Sequence, residues 1–333
     1  MSDTEHTDDI TIDHELIKTE LDIGLQATGF TKAKDVVVPE IFNRRVKSGI
    51  RQIDEGLLDD GVLPGSTFTL TARAGCGKTT LMLQILDGMA KNGYKVGYCS
   101  GEESIYQLGH TCDRINVTEV ELENKTCIEE IAELTVHYDI IIIDSFQALT
   151  TKNKMNIRQK EIFAVQHIVK NAKHNECIVG LIMHLTKTGE LKGSTVVPHT
   201  VDACWNIDRI QGADDDGSRV IYITKNRFGP CSEYETLLTR KGYDFEAKII
   251  TSGSDNDTGI QKAKSKSSRK QTQITALMDA AQKENGLTIQ EAIPHVENNV
   301  QRTQFLLREL VVQGKLIKRG RGDYAIWIPV DET

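Results

Sequence analysis

The chain has no Cys-x-x-Cys pair, no apolar run of membrane-spanning length and no surplus of basic residues. Each absence excludes a class of protein. The seven cysteines are scattered, which argues against a zinc ribbon or a disulfide framework and fits a reducing cytoplasm. Without a long apolar stretch no segment is expected to cross a bilayer. The first two dozen residues carry Asp3, Glu5, Asp8, Asp9, Asp13, Glu15, Glu20 and Asp22 against a single Lys18, acidic where a signal peptide is basic. The expectation is a cytoplasmic protein with no membrane contact. A net charge of −8 argues against a globally basic nucleic-acid binder, although averages conceal segments of opposite sign.

What is present is an ordinary globular composition, 39% hydrophobic and 26% charged over 333 residues, long enough for two domains and a sizeable core. The rest of the chain is organised around Ala72, Arg73, Ala74, Gly75, Cys76, Gly77, Lys78 and Thr79, followed by Thr80. This stretch follows an alternating apolar run, Thr67 to Thr71, and precedes Leu81, Met82, Ile85, Leu86 and Met89 at helical spacing. Strand, loop and helix are the context of a phosphate loop. Successive backbone N–H groups and the helix N-terminus cradle phosphate anions, Lys78 reaches the outer phosphates, and Thr79 offers a hydroxyl to Mg²⁺. The departure from the pattern is Ala72, which is tolerable where that backbone does not need positive φ. Cys76 lies at a helix N-terminus, which lowers a thiol's pKa, but burial there would work the other way.

The chain divides into four parts. Residues 1–45 are acidic and aromatic-poor, and read either as a mobile extension or as a tail that docks a partner or mimics DNA. Residues 46–250 alternate strand with helix, which predicts an α/β domain with a central, mostly parallel sheet. Its strands are expected at Lys95 to Cys99, Tyr138 to Ile143, Cys177 to Leu185, Ala203 to Ile207 and Val220 to Thr224, the last two as a hairpin. Helices are expected at Glu103 to Asn116 and Ile157 to Ala172. Residues 251–271, with Lys262, Lys264, Lys266, Arg269 and Lys270, read as a basic flexible linker. Residues 272–333 suggest three helices, over Ile274 to Glu284, from Ile289 behind a Thr288 cap, and over Val300 to Gln313. A hairpin follows, tipped by Arg319 and Arg321. That is a winged helix-turn-helix pattern. As a DNA reader it would use Arg302 on the third helix and Lys318, Arg319 and Arg321 on the wing. The same fold also serves as a protein-docking module.

Asp144 ends the strand of four isoleucines, the placement of a carboxylate that orients Mg²⁺. Glu102 and Glu103 follow the strand ending in Cys99 and Ser100, beside the phosphate loop in a sheet whose ligands gather at strand carboxyl ends. One of them is expected to orient the attacking water, and Glu102 is the choice.

The motifs Ser100-Gly101-Glu102-Glu103-Ser104, Asp144-Ser145-Phe146-Gln147, His184-Leu185-Thr186-Lys187 with Gly189 and Gly193, and Lys225-Asn226-Arg227-Phe228-Gly229 resemble the bacterial RadA (Sms) recombination ATPases over roughly residues 45–246. The resemblance implies a RecA-like core that hydrolyses ATP with Mg²⁺, assembles into rings, expected to be hexamers, and acts on single-stranded DNA in strand exchange and branch migration. It implies Glu102 as catalytic base, His184 as γ-phosphate sensor, and Lys225 with Arg227 as cations reaching the ATP of a neighbouring subunit. A recombinase or replication protein becomes a candidate partner. The chain departs from the family in having neither its four-cysteine zinc motif nor its Lon-like C-terminal domain. KaiC-like and DnaB-like ATPases are resembled more distantly, so a replicative helicase of a phage or mobile element stays open. So does an ATP-gated DNA-binding regulator.

Two basic loops follow strands that end near the nucleotide: Thr151 to Lys160, with Lys152, Lys154 and Arg158, and Thr186 to Pro198, with Lys187 and Lys192. Both read as DNA contacts inside a ring or as solvated surface loops. Contact with phosphates would give weak sequence preference and steep salt dependence.

Overall fold

The computed structural model describes residues 32–185, 196–210, 217–247, 268–282, 286–320 and 325–330. By its internal contacts the chain forms two units, residues 1–43 and residues 44–333. In the first, the described part holds two single 3₁₀ turns, Ala33–Asp35 and Glu40–Asn43.

The second unit is built on a nine-stranded sheet. In chain order its strands are β1 (Thr67–Ala72), β2 (Val96–Ser100), β3 (Glu121–Glu123), β4 (Ile140–Asp144), β5 (Ile178–His184), β6 (Ala203–Arg209), β7 (Ser218–Asn226), β8 (Glu233–Thr239) and β9 (Gly242–Asp244). Their order in space is β3-β2-β4-β5-β1-β6-β7-β8-β9. The pairs from β3 to β6 are all parallel, and β6 through β9 continue antiparallel. The expected hairpin of β6 and β7 is therefore present, and β8 and β9 extend it beyond what the chain pattern suggested.

The run of isoleucines in β4 follows from its central place. Successive side chains of a strand point to opposite faces. Ile140 and Ile142 accordingly join the core that contains Leu81, Met82 and Leu86 of the helix Lys78–Lys91, while Ile141 and Ile143 join Val165 and Ile168 of the helix Ile157–His174. Both faces are covered, which is why no polar residue interrupts the strand until Asp144. The helices Ile105–Ile115 and Ile157–His174 each begin in a capping box, Ser104 with Gln107 and Asn156 with Gln159.

The C-terminal residues form the helices Ser268–Ala281, Ile289–Ala292 and Val300–Val312, and a small antiparallel sheet of β10 (Leu287–Thr288), β12 (Ile326–Pro329) and β11 (Leu316–Arg319), in that spatial order. Thr288 caps the second helix in a box with Glu291, as its position suggested. The first helix starts at Ser268, inside the stretch read as linker.

This C-terminal module is packed on the large sheet. A third core cluster joins Val220 and Tyr222 of β7 to Leu277, Phe305, Leu306 and Leu310. Around it lies a ring of polar contacts. Arg302 pairs with Glu233, and Lys270 with Glu233 at 3.1 Å and with Glu309 at 2.9 Å. Asn299 Nδ2 donates to Asp208 Oδ2 at 2.8 Å, and Arg308 donates to the Thr224 carbonyl at 2.9 Å. The helix Val300–Val312, which in a DNA reader would enter a groove, here faces β7 and β8. Arg302 corrects the sequence reading directly. It is 1% exposed, its guanidinium lies 5.4 Å from the ring of Tyr222 and 5.7 Å from that of Phe305, and it is spent on Glu233 rather than offered to DNA.

Candidate functional site

The site gathers at the carboxyl ends of β1, β2, β4 and β5, and the register puts it there. Ala72 lies beside His184 and Ser100 beside Asp144, so the loops leaving these strands open at one edge of the sheet. Ala72 is the last residue of β1 and is not among the residues with positive φ, which explains why alanine serves where glycine is usual. The left-handed positions are Gly75 (φ 74°) and Gly77 (φ 89°). A Cβ on Gly77 would also come within 2.8 Å of Leu238 Cδ2 and 2.9 Å of Tyr243 Oη. The antiparallel end of the sheet thus supports the loop from outside: Tyr243 Oη donates to the Cys76 carbonyl at 2.6 Å, and Gln84 bonds both backbone groups of Tyr243. Arg73, Ala74 and Gly75 are exposed at the loop tip, Thr80 is buried behind it, and burial pushes the Cys76 thiol pKa up.

Lys78 is buried and donates to the Ala72 carbonyl at 3.3 Å. Burial lowers its pKa, against the opposing charges of Asp144 and Glu102. Thr79 Oγ1 donates to Asp144 Oδ2 at 3.0 Å, and the hydroxyl of the fully buried Tyr98 donates to the same oxygen at 2.5 Å. Glu102 Oε1 accepts from Ser145 Oγ at 2.5 Å and meets His184 Nε2 at 2.7 Å. Partial burial raises the Glu102 pKa, but Ser145, His184 and Lys78 outweigh it and hold the carboxyl below its ordinary value. Glu103 is shifted the other way, by burial and by the charges of Asp144 and Glu102. Of the two glutamates, Glu102 is the one whose carboxyl is hydrogen-bonded in the site and held below its ordinary pKa.

Ligand atoms of Glu102, Asp144 and His184 lie within 4.8 Å of one another. A hydroxyl, carboxylates and a buried ammonium around one spot suit an oxygen-preferring dication with bound phosphates. Thr79 and Asp144, joined by a hydrogen bond, are residues that could hold it.

Lys225 and Arg227 are elsewhere. β7 runs antiparallel, and Asn226 pairs with Ala203 at the start of β6, whereas Ala72 pairs with Ile207 near its end. At about 3.3 Å per residue that offset is roughly 13 Å along the sheet. Lys225 Nζ donates to the carbonyls of Pro198 (2.8 Å), His199 (3.1 Å) and Val201 (2.5 Å), capping the turn after the helix Val196–Thr200. Arg227 donates to the buried Asp202 at 2.9 Å, with Lys173 at 3.6 Å from the same oxygen.

Of the first basic stretch, Lys154 is exposed in the loop and Arg158 is exposed on the first turn of the helix Ile157–His174, while Lys152 lies 3.6 Å from Glu130. Glu129 anchors the start of this loop by accepting from Thr151 Oγ1 at 2.7 Å and from the Lys152 N–H at 3.3 Å. Lys318 and Arg319 are exposed on β11, with the Lys318 ammonium 5.4 Å from the Trp327 ring centre. Lys187, Lys192 and Arg321 lie outside the described residues.

Sequence reasoning missed Tyr98 and Tyr243. For Tyr98 a signal existed: it is a polar tip at the middle of an otherwise apolar strand, on the same alternation as Ser100. For Tyr243, 167 residues from the carbonyl it holds, there was none.

A family described as KaiC-type ATPase matches residues 46–140. Among curated proteins, the DNA repair protein RadA of Haemophilus influenzae is 30% identical over 229 residues, covering 64% of this chain and 48% of that protein. RadA of Chlamydia pneumoniae is 35% identical over 187 residues, covering 53% of this chain and 40% of that protein. The chain thus spans less than half the length of these relatives. One solved ATPase domain superposes with a TM-score of 0.53 at 16% identity, over 71% of this chain and 99% of that domain, a likeness of fold alone.

Proposed function

For a chain whose ATPase core belongs to the RadA family of RecA-like ATPases, we propose ATP hydrolysis coupled to movement on single-stranded DNA, in repair or recombination. The observation that carries this reading is the constellation around Glu102. An ionised carboxylate, fixed through one oxygen by Ser145 and His184, stands beside the phosphate-loop lysine and the Thr79–Asp144 pair.

In this reading ATP lies along the loop Ala72 to Thr80, its phosphates bound by the backbone N–H groups and by Lys78. Mg²⁺, when held by Thr79 and Asp144, would neutralise charge on the phosphate oxygens. Glu102, held in its carboxylate form by Ser145 and His184, accepts a proton from the attacking water. His184, bonded to Glu102 and standing at the end of β5, senses whether the outer phosphate is present and passes that to the loop that follows. Phosphoryl transfer needs positioning and charge stabilisation more than covalent help, so this set suffices.

Lys225 and Arg227 sit too far along the sheet to serve their own nucleotide. They are assigned to the nucleotide of a neighbouring subunit in a ring, which makes hydrolysis depend on assembly. For Lys225 this requires leaving the carbonyls it caps. The exposed Lys154 and Arg158, with Lys152, Lys187 and Lys192, are assigned to the DNA backbone.

The element order of the C-terminal module, three helices and three short strands, supports a winged helix. Its third helix is committed to the ATPase sheet, so Lys318, Arg319 and Arg321 of the wing are the residues left for DNA. That docking favours a second role for the module, as a part of the ATPase unit rather than a freely tethered reader.

The test is ATP turnover with no DNA, with single-stranded DNA and with duplex, beside a Lys78→Ala control. Stimulation by single strands that vanishes in the control is expected. Slow turnover indifferent to single strands, together with tight duplex binding, would favour the ATP-gated regulator. Unwinding of long forked duplexes without a recombinase would favour the DnaB-like helicase.

A further inference from the structure

We propose that Tyr98 is a positioning residue for the divalent cation, its hydroxyl fixing the Asp144 carboxylate in the orientation the ion requires. The proposal rests on the ATPase reading and concerns a residue that reading does not use.

Tyr98 is the middle residue of β2 and is completely buried. Its ring belongs to the core cluster with Leu81, Met82, Ile85, Ile140 and Ile182, where phenylalanine would pack equally well. The difference is the hydroxyl, which reaches across from β2 to β4 and donates to Asp144 Oδ2 at 2.5 Å. Asp144 is only 7% exposed, so water cannot easily take the place of that donor.

The other donor to the same oxygen is Thr79 Oγ1. Thr79 is itself the hydroxyl assigned to the cation, so with the ion bound its oxygen would serve both the ion and Asp144. Tyr98 is held rigidly in a strand and in the core. It is therefore the contact that keeps Asp144 aimed whether or not the ion is bound. Groups that orient a ligating carboxylate from behind typically change metal affinity or activity by about 10–100-fold when removed. Losing one donor also leaves a buried carboxylate oxygen short of a partner.

The experiment compares wild type with Tyr98→Phe in binding a fluorescent ATP analogue as Mg²⁺ is titrated, with chelator-treated samples as the zero. The Mg²⁺ concentration at half-saturation should rise about tenfold in Tyr98→Phe. Binding without Mg²⁺ should be unchanged, and kcat at saturating Mg²⁺ should fall far less than turnover at low Mg²⁺. Combining Tyr98→Phe with Asp144→Asn should add nothing to Asp144→Asn alone. Superimposable Mg²⁺ profiles for wild type and Tyr98→Phe would overturn the proposal. So would equal losses with and without Mg²⁺, the mark of a packing role. As a readout independent of that variant, 3-fluorotyrosine placed at position 98 should show a fluorine resonance that moves when Mg²⁺ joins bound nucleotide. A resonance blind to Mg²⁺ would also overturn it. If wild type itself binds nucleotide with no Mg²⁺ dependence, the ATPase reading fails instead.

Discussion

Replacing Arg302 by alanine tests the corrected role of the third C-terminal helix. The guanidinium is 1% exposed and pairs with Glu233, whose side chain is 17% exposed. Removing one partner of a buried pair costs about 3–5 kcal/mol, because the other charge is stranded. Glu233 retains Lys270 at 3.1 Å, so the lower end applies, near 3 kcal/mol. Loss of the contacts with Tyr222 and Phe305 acts in the same direction. At about 1.6 °C per kcal/mol for a unit spanning residues 44–333, the unfolding midpoint should drop by roughly 5 °C. The transition can be followed by tryptophan fluorescence, since Trp327 lies buried in the C-terminal module and Trp205 in the large sheet. DNA affinity of the folded protein should stay close to that of wild type. An unchanged midpoint together with a loss of DNA affinity of about tenfold or more, as expected for a lost base contact, would refute the docked assignment.

Gly77→Ala should abolish nucleotide binding and destabilise the fold, because the new methyl meets Leu238 and Tyr243 within 3 Å at a φ of 89°; thermal unfolding and a nucleotide titration would check both. Glu102 has a folded-state pKa below its ordinary value, so it stays ionised as pH falls through about 4.5. The acid limb of kcat should therefore lie below that pH, and a limb centred between 6 and 7 would point to another base. Glu129 is driven down to about 2: burial alone would raise its pKa, but Thr151, its own backbone N–H, Cys127 and Lys152 outweigh that. Its contribution to stability is full above about pH 4.5 and disappears as pH falls toward 2, so Glu129→Gln should flatten the pH dependence of the unfolding midpoint in that window. Mixing Lys78→Ala with Lys225→Ala chains should give turnover above the mean of the two alone, since some interfaces then pair an intact phosphate loop with an intact Lys225. Turnover at the mean would contradict the trans assignment.

The nucleotide site was legible because its parts are short and local. The phosphate loop, the four isoleucines ending in Asp144, and the Glu102 segment each announce themselves within a few residues, and parallel strand order brings their ends together. What was not legible depends on distant pairing. Nothing in Glu233–Asp244 says that it will extend the sheet and set Tyr243 behind the phosphate loop. The third C-terminal helix misled for a related reason. Phe305, Leu306 and Leu310 mark its apolar face, and Arg302 falls on that face, one turn before Leu306. That shared face is covered by Tyr222 of β7 and Glu233 of β8, which no local pattern announces. An arginine among polar neighbours looks alike whether its partner is a phosphate or a glutamate 69 residues away.

The measurement that tests the central claim most directly is single-turnover ATP hydrolysis by Glu102→Gln, read beside nucleotide binding by the same protein. A positioned general base contributes about 10²–10⁴-fold, so hydrolysis should fall by at least the lower figure while nucleotide affinity stays near that of wild type. Hydrolysis within a few-fold of wild type would remove Glu102 from the reaction, and with it the site on which the proposed function stands.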